Sequence, residues 1–458
     1  MLAPLRYRKW FICESWLILS TLLACAGASV AAGGASLAQT PPMGWNSWDS
    51  YGLTVTENEF QANALWMQQN VLRYGWQYAV VDEGWYLSNP EAKPGTFRFK
   101  VDSNGRFLPA PNRFSSAADG QGFSQLASWV HARKMKFGIH IIRGIPREAV
   151  EKNLPIARSS YHAAEAANRS DTCQWNADNY GVNANAAGQA YYDSLAALYA
   201  KWGVDLVKID CISYPYKADE IRMFSDALRK TGRPIVLSLS PGPTPIDQID
   251  DLRKHAQMWR ISGDFWDHWS SWPGKQWSQS LYDQFALTAK WAPLVEAGHW
   301  PDADMLPLGF LGPRPGEGKA RMSDFTHDEE RTVMTLWCIF RSPLIAGGNL
   351  TKMDAWSTAL MTNEEVIRVD QHSRASRAVV NEANRAIWVA KPESGPGAYV
   401  AVFNLGDSAQ TIQYPLQSLG LPGTAFKLRD LWERKDLGTA DTLKVSLAAH
   451  ASALYRLQ

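Results

Sequence analysis

Between Pro41 and Ala346 the chain keeps returning to one unit, a short apolar run rich in β-branched residues followed by a segment with helical spacing. Strand-like runs are Trp76–Trp85, Met135–Ile142, Val204–Asp210, Pro234–Leu239, Gln257–Ser262, Pro293–Ala297 and Pro343–Ala346, with Pro41–Trp48 opening the series. Helical spacing covers Glu57–Leu72, Phe123–Arg133, Ala187–Trp202, Glu220–Thr231, Ser278–Thr288 and His327–Phe340. Gly232 stops the fourth of these helices. Continuous apolar strands alternating with helices demand a parallel sheet covered on its outer face. A doubly wound sheet would carry a Gly-rich phosphate loop after its first strand, and none stands there. The pattern therefore predicts a (β/α)8 TIM barrel over residues 39–372.

Polar residues interrupt these runs at one place, the C-terminal end of the strand. Trp48, Asp82, His140, Lys208, Asp210, Ser240, Arg260 and Asp264 all fall at or just after a predicted strand end. A barrel gathers those ends at one mouth, where its active sites lie. The stretch Val204-Asp-Leu-Val-Lys-Ile-Asp-Cys211 is the clearest case. Alternation along a strand puts Lys208 and Asp210 on one face, and a cation so placed favours the ionised carboxylate a nucleophile needs. A second carboxylate, Asp264, sits in Trp259-Arg-Ile-Ser-Gly-Asp264-Phe-Trp-Asp267-His-Trp269, and an aromatic setting favours the protonated form of a general acid. One ionised and one protonated carboxyl is the pair a retaining glycosidase uses. Asp267 competes with Asp264 for the acid's role on these grounds. Asp302 and Asp304 also read as possible metal ligands or a third acid.

From about Arg374 the helical period disappears. Short strands separated by Gly, Pro, Asn and Asp fill residues 373–458 and predict an antiparallel β-sandwich. The first 38 residues read as a secretory signal peptide, with Arg6, Arg8 and Lys9 ahead of the apolar run Trp16–Ala24 and small residues up to Ala38. Leu22-Leu-Ala-Cys25 loosely matches a lipoprotein box, so export to the periplasm or medium is expected, with a membrane anchor only if Cys25 is lipidated. Forty-six basic residues against 45 acidic ones leave a net charge of +1, which argues against a nucleic-acid partner. In an exported protein the cysteines can be oxidised, and Cys173 in a polar loop is the natural partner for Cys211. Cys338, in an apolar run, reads as a buried thiol. The 21 Trp residues suit a site where pyranose C–H faces lie on rings.

The segments PPMGWNSWDSYG, VVDEGW, KFGIHI, WGVDLVKIDC, WRISGDFWDHW, GHWPDADMLPLG and HDEERTVMTLWCIFRSPLIAGGNL, followed by EEVIRVDQ, run in order from Thr40 to Gln371. Together they resemble glycoside hydrolase family 27, which holds α-galactosidases and α-N-acetylgalactosaminidases. The resemblance implies a retaining enzyme that uses no metal or other cofactor, with Asp210 as nucleophile and Asp264 as acid/base. It puts Trp48, Asp82, Lys208 and Arg260 on sugar-binding positions, matches Cys173–Cys211 to a family disulfide and gives Asp302 and Asp304 a structural or pocket-wall role. Terminal α-D-galactosyl residues are the expected substrate. Three departures bear on it. Glu83 replaces a typical Asp, and its extra methylene could favour β-L-arabinopyranose, which lacks C6. His140 stands where Tyr is frequent. Ser240 replaces a frequent Glu and leaves room at C2 for an N-acetylgalactosamine. A non-catalytic galactose-binding relative is the reading outside enzymes, and no interface in the sequence announces an oligomeric state.

Overall fold

The computed structural model describes residues 37–271, 277–312, 314, 318–421 and 423–458. The predicted leader, with Cys13 and Cys25, lies outside the described residues except for Leu37 and Ala38. Among the described residues no helix is long and apolar enough to cross a membrane.

Eight parallel strands form the barrel: β1 (Met43–Asn46), β2 (Tyr78–Val81), β3 (Lys136–Ile142), β4 (Leu206–Asp210), β5 (Val236–Leu239), β6 (Met258–Arg260), β7 (Trp300–Asp302) and β8 (Leu344–Ala346). They lie in the order β7-β6-β5-β4-β3-β2-β1-β8. Leu306 closes the ring beyond β7. Its N–H donates to the Ile345 carbonyl at 2.8 Å, and its own carbonyl accepts from the Gly347 N–H at 3.0 Å. The seventh strand is a correction to the sequence reading. Pro293 opens a 3₁₀ turn at Ala292–Leu294, and it is Trp300-Pro-Asp302 that pairs with β6, Asp302 opposite Arg260. Both runs contain a Pro, which has no N–H to give, so the apolar pattern alone does not show which of them is the strand.

Helices follow where the spacing predicts them, and local signals set their ends. Thr56 with Glu59 and Thr326 with Glu329 form capping boxes for helices Glu57–Asn70 and His327–Phe340. The predicted helix Ser278–Thr288 starts later. Ser278–Gln279 instead pairs in parallel with Asp264–Phe265, and Ser280 caps the helix Leu281–Trp291.

Strands β9 (Ser373–Glu382), β10 (Arg385–Pro392), β11 (Ala398–Asn404), β12 (Gln410–Pro415), β13 (Phe426–Asp430), β14 (Lys435–Ala440), β15 (Thr442–Leu447) and β16 (Ser452–Leu457) build the C-terminal region. Six of them form the antiparallel sheet β9-β10-β11-β16-β13-β14, and β12 pairs with β15. Their inner faces share a core of Val389, Val400, Ile412, Leu428 and Leu457. The barrel helix His327–Phe340 packs on this region through Thr335, whose hydroxyl accepts from Trp432 Nε1 and Ser452 Oγ, both at 3.0 Å. The barrel chain and this β region belong to one compact unit, Leu37–Gln458.

Gly44 on β1 lies opposite Tyr78 on β2, and a Cβ at Gly44 would fall 2.1 Å from the Tyr78 carbonyl oxygen. Backbone cannot yield as a flexible side chain can. Gly44→Ala is expected to destabilise the protein by about 1–3 kcal/mol, seen as a lower urea midpoint at unchanged m-value.

Candidate active site

The strand ends open on a cavity of about 870 Å³. The residues predicted as the catalytic pair and the sugar-binding positions all line it: Trp48, Asp82, Glu83, His140, Lys208, Asp210, Ser240, Arg260 and Asp264. Three strand-end carboxylates share a local device. Asp82, Asp210 and Asp304 each accept the N–H of the next residue, at 2.8, 2.7 and 2.8 Å. Cys211, which donates to Asp210, itself lies in the left-handed region, at φ 61°. A carboxylate held by its own backbone keeps one orientation without a long-range partner.

Charges at the β2–β4 side are paired differently from the sequence expectation. Lys208 Nζ binds Asp82 Oδ2 at 3.1 Å, and Asn46 Nδ2 donates to the same oxygen at 2.6 Å. The close partner of Asp210 is His140, whose Nε2 stands 3.6 Å from Asp210 Oδ2, beyond hydrogen-bond distance. Burial pushes Asp210 up, but His140, then Lys208 and the Cys211 N–H, outweigh it and hold its carboxyl below the usual range. Lys208 does favour the ionised form, at second hand. Burial likewise opposes the charge on His140, and Asp82 and Asp210 outweigh it, so the imidazole pKa is raised.

On the β6–β7 side Arg260 bridges two carboxylates, Asp304 at 2.6 Å and Asp264 at 3.2 Å. Asp304 Oδ2 also accepts the Phe265 N–H at 2.8 Å, pinning the segment that carries Asp264. Asp264 is not enclosed by rings, as its sequence setting had suggested. Its side chain is 49% exposed and turned to the cavity mouth. Asp267, the rival acid, is buried, paired with Arg321 at 2.5 Å and absent from the cavity lining. Asp304 lines the cavity, whereas Asp302 lines a small pocket inside the barrel beneath it.

Two further contributors take partners that the sequence does not show. Asn176 Nδ2 donates to Glu83 Oε1 at 2.6 Å from a segment 93 positions away. Arg143, just past β3, donates to the Cys211 carbonyl at 2.6 Å, to Glu220 at 2.6 Å and to Asp171 at 2.7 Å. Cys173 and Cys211 are disulfide-bonded. The loop that holds Asn176 is thus tied to the residue next to Asp210. No local spacing marks Asn176 or Arg143, because their partners come from other parts of the chain.

Glu83, His140 and Asp210 each bring one ligand atom to within 4.8 Å of the others, a spacing that could hold a cation. With the His140 pKa raised, a proton competes for its nitrogen.

The sequence signature described as alpha-galactosidase A matches residues 176–372, and that of the alpha-galactosidase C-terminal β-sandwich matches residues 382–457. The chain is 46% identical to the β-L-arabinopyranosidase of family 27 from Geobacillus stearothermophilus, with a TM-score of 0.87 over 92% of this chain and 97% of that one. The chain belongs to glycoside hydrolase family 27. A Bacillus halodurans protein named as a candidate α-N-acetylgalactosaminidase is 41% identical, at a TM-score of 0.80, over 91% of this chain and 97% of that one. Among curated relatives, alpha-galactosidase A of Cellvibrio japonicus is 26% identical over 442 residues, 92% of each protein. This family 27 protein is an O-glycoside hydrolase acting on carbohydrate, built as a TIM barrel with a β-sandwich behind it.

Burial, reinforced by Asp210 and Asp82 against the opposing His140, raises Glu83 from the usual 4.5 to about 7. Its folded pKa lies above its unfolded one, so the native state is penalised progressively as pH rises from about 4.5 through about 7. Glu83→Gln keeps the acceptor for Asn176 and cannot ionise. Its melting temperature is expected to match that of the unsubstituted protein at pH 4 and to exceed it at pH 8, by scanning calorimetry.

Proposed function

We propose that this protein is an exo-acting retaining glycosidase that removes terminal β-L-arabinopyranosyl residues through a covalent ester on Asp210. Asp210 Oδ attacks the anomeric carbon as Asp264 gives its proton to the departing glycosidic oxygen. Asp264 then takes a proton from water, whose oxygen displaces Asp210 and restores both groups. The ionised state of Asp210, held by His140, Lys208 and the Cys211 N–H, supports the nucleophile's role. The half-exposed position of Asp264 beside Arg260 supports the acid/base role, since the second step needs water to reach it. Asp82 and Lys208 would bind hydroxyls on the β2–β4 side, Arg260 would hold Asp264, and Trp48 would offer a ring to the sugar.

The observation that carries the choice of sugar is Glu83. Anchored by Asn176, its carboxylate comes within 4.8 Å of both His140 and Asp210, which directs it into the glycone site. The extra methylene relative to Asp occupies space on the C5/C6 side. β-L-Arabinopyranose has the ring configuration of α-D-galactose without the hydroxymethyl group, so it leaves that space free. The 46% identity to a β-L-arabinopyranosidase supports the same reading. α-D-Galactoside is the second reading, supported by curated α-galactosidases at lower identity. Ser240, small and lining the cavity, keeps α-N-acetylgalactosaminide as a third. Export is inferred from the leader together with the Cys173–Cys211 disulfide, which persists in an oxidising compartment.

Hydrolysis of the paired aryl glycosides tests the reading. The β-L-arabinopyranoside is expected to be preferred over the α-D-galactopyranoside by about 10–200-fold in kcat/KM, the range one methylene can supply. Glu83→Asp should shrink or invert that ratio; a wild-type preference for the galactoside would overturn the pentose assignment. Asp210→Ala should lose hydrolysis of both glycosides. Asp264→Ala should retain more activity as the leaving group becomes more acidic, because such a group needs less protonation, and added azide should yield a glycosyl azide of retained configuration.

A further inference from the structure

Three large apolar side chains stand exposed and in mutual contact on the rim of the site. Trp175, Tyr214 and Trp277 are 46%, 42% and 38% exposed. The Trp175 and Trp277 rings lie 6.2 Å apart at 36°, and those of Tyr214 and Trp277 lie 5.3 Å apart at 41°. Burying large rings stabilises a fold, so a contiguous exposed set is better explained by a ligand than by the core. Trp175 lines the same cavity as Asp210 and Asp264, and Trp277 and Tyr214 continue outward from it.

Each ring is tethered close to one of the two carboxylates. Trp175 follows two residues after Cys173, which is bonded to Cys211, the neighbour of Asp210. Tyr214 comes three residues after Cys211, and Ser213 before it is fixed by donating from Oγ to the Pro241 carbonyl at 2.6 Å. Trp277 immediately precedes Ser278, the residue paired with Asp264. Gly263 permits that approach, since a Cβ there would lie 2.2 Å from the Trp277 carbonyl oxygen. The rings therefore hold their distance from both reacting groups, as a subsite must if bound substrate is to be positioned for cleavage.

We propose that Trp175, Trp277 and Tyr214 form the leaving-group subsite, an aromatic shelf that receives the pyranose rings of the saccharide from which the terminal sugar is cut. This rests on the assignment of Asp210 and Asp264 as the catalytic pair. Pyranose C–H faces stack on such rings while the indole N–H and phenol O–H remain available to hydroxyls. The Asn176 side chain next to Trp175 holds Glu83, so one disulfide-anchored segment would carry both glycone and leaving-group selection. The preferred substrate is then an oligosaccharide or polysaccharide end rather than a simple alkyl or aryl glycoside.

The test compares two substrates with the same glycone in the full chain: the glycosyl fluoride, which has no leaving-group ring, and a glycosyl-xylobiose or glycosyl-galactobiose trisaccharide. Whichever of the arabinopyranosyl and galactosyl fluorides the wild type cleaves sets the glycone, so failure of the pentose reading does not touch the shelf. Trp277→Ala, and Tyr214→Ala independently, should lower kcat/KM on the trisaccharide by about tenfold more than on the fluoride, the size expected for loss of one stacked ring. Equal effects on both substrates, or no effect on either, would overturn the proposal. As a readout independent of turnover, the biose alone should saturably quench tryptophan fluorescence in Asp210→Ala, and adding Trp277→Ala should abolish the quench. Absence of quenching by either biose counts against the shelf, whereas failure of the wild type on every fluoride counts against the catalytic pair.

Discussion

The mouth of the barrel depends on burying several charges of both signs in one small volume. Lys208 and Asp82 form its central pair, with their side chains 16% and 2% exposed. Desolvating such ions costs several kcal/mol each, and only good geometry with further hydrogen bonds offsets it. Asn46, the Glu83 N–H and the Ser47 hydroxyl, which accepts the Asp82 N–H, supply that geometry from β1 and β2, while Lys208 comes from β4. Removing either ion would take from the other its closest counter-charge, at about 3–5 kcal/mol. The pair also fixes the field in which His140 and Asp210 sit, and through them the ionisation of the proposed nucleophile.

The two carboxylates proposed for catalysis occupy contrasting surroundings. Asp210 is a strand residue, largely enclosed, facing the His140 imidazole and oriented by its neighbour's N–H. Asp264 lies beyond a strand on a half-exposed segment, secured by Arg260 and by the Asp304 bond to Phe265 N–H. Attack at carbon needs a fixed, ionised oxygen, whereas proton exchange with leaving group and water needs access. The Cys173–Cys211 bond and Arg143 extend the rigid part of the site outward into the loop that carries Trp175 and Asn176. The loop that carries Trp175 and Asn176 is therefore anchored beside Asp210.

Much of this was legible in the chain because strand and helix periodicities are local. The helix His327–Phe340 was read with its observed limits, and the polar residues at strand ends met in one cavity as a barrel requires. The misreadings have particular causes. The apolar run Pro293–Ala297 resembles a strand more than the three-residue Trp300-Pro-Asp302 does, and only pairing with β6 shows which is β7. Lys208 was placed on the correct face but given Asp210 as partner, since alternation along one strand says nothing about what the next strand presents. Asp264 and Asp267 could not be separated by spacing, yet one faces the cavity and the other is bound to Arg321.

Taken alone, the sequence determined the barrel and sandwich classes, the mouth at which function resides and the residue types gathered there, because these follow from side-chain period and from where polar groups interrupt it. Only the tertiary structure decided who pairs with whom: His140 with Asp210, Lys208 with Asp82, Arg260 with Asp304, Asn176 with Glu83. Those contacts join residues on different strands and loops. Their energies depend on distance and burial in three dimensions, which no local pattern encodes.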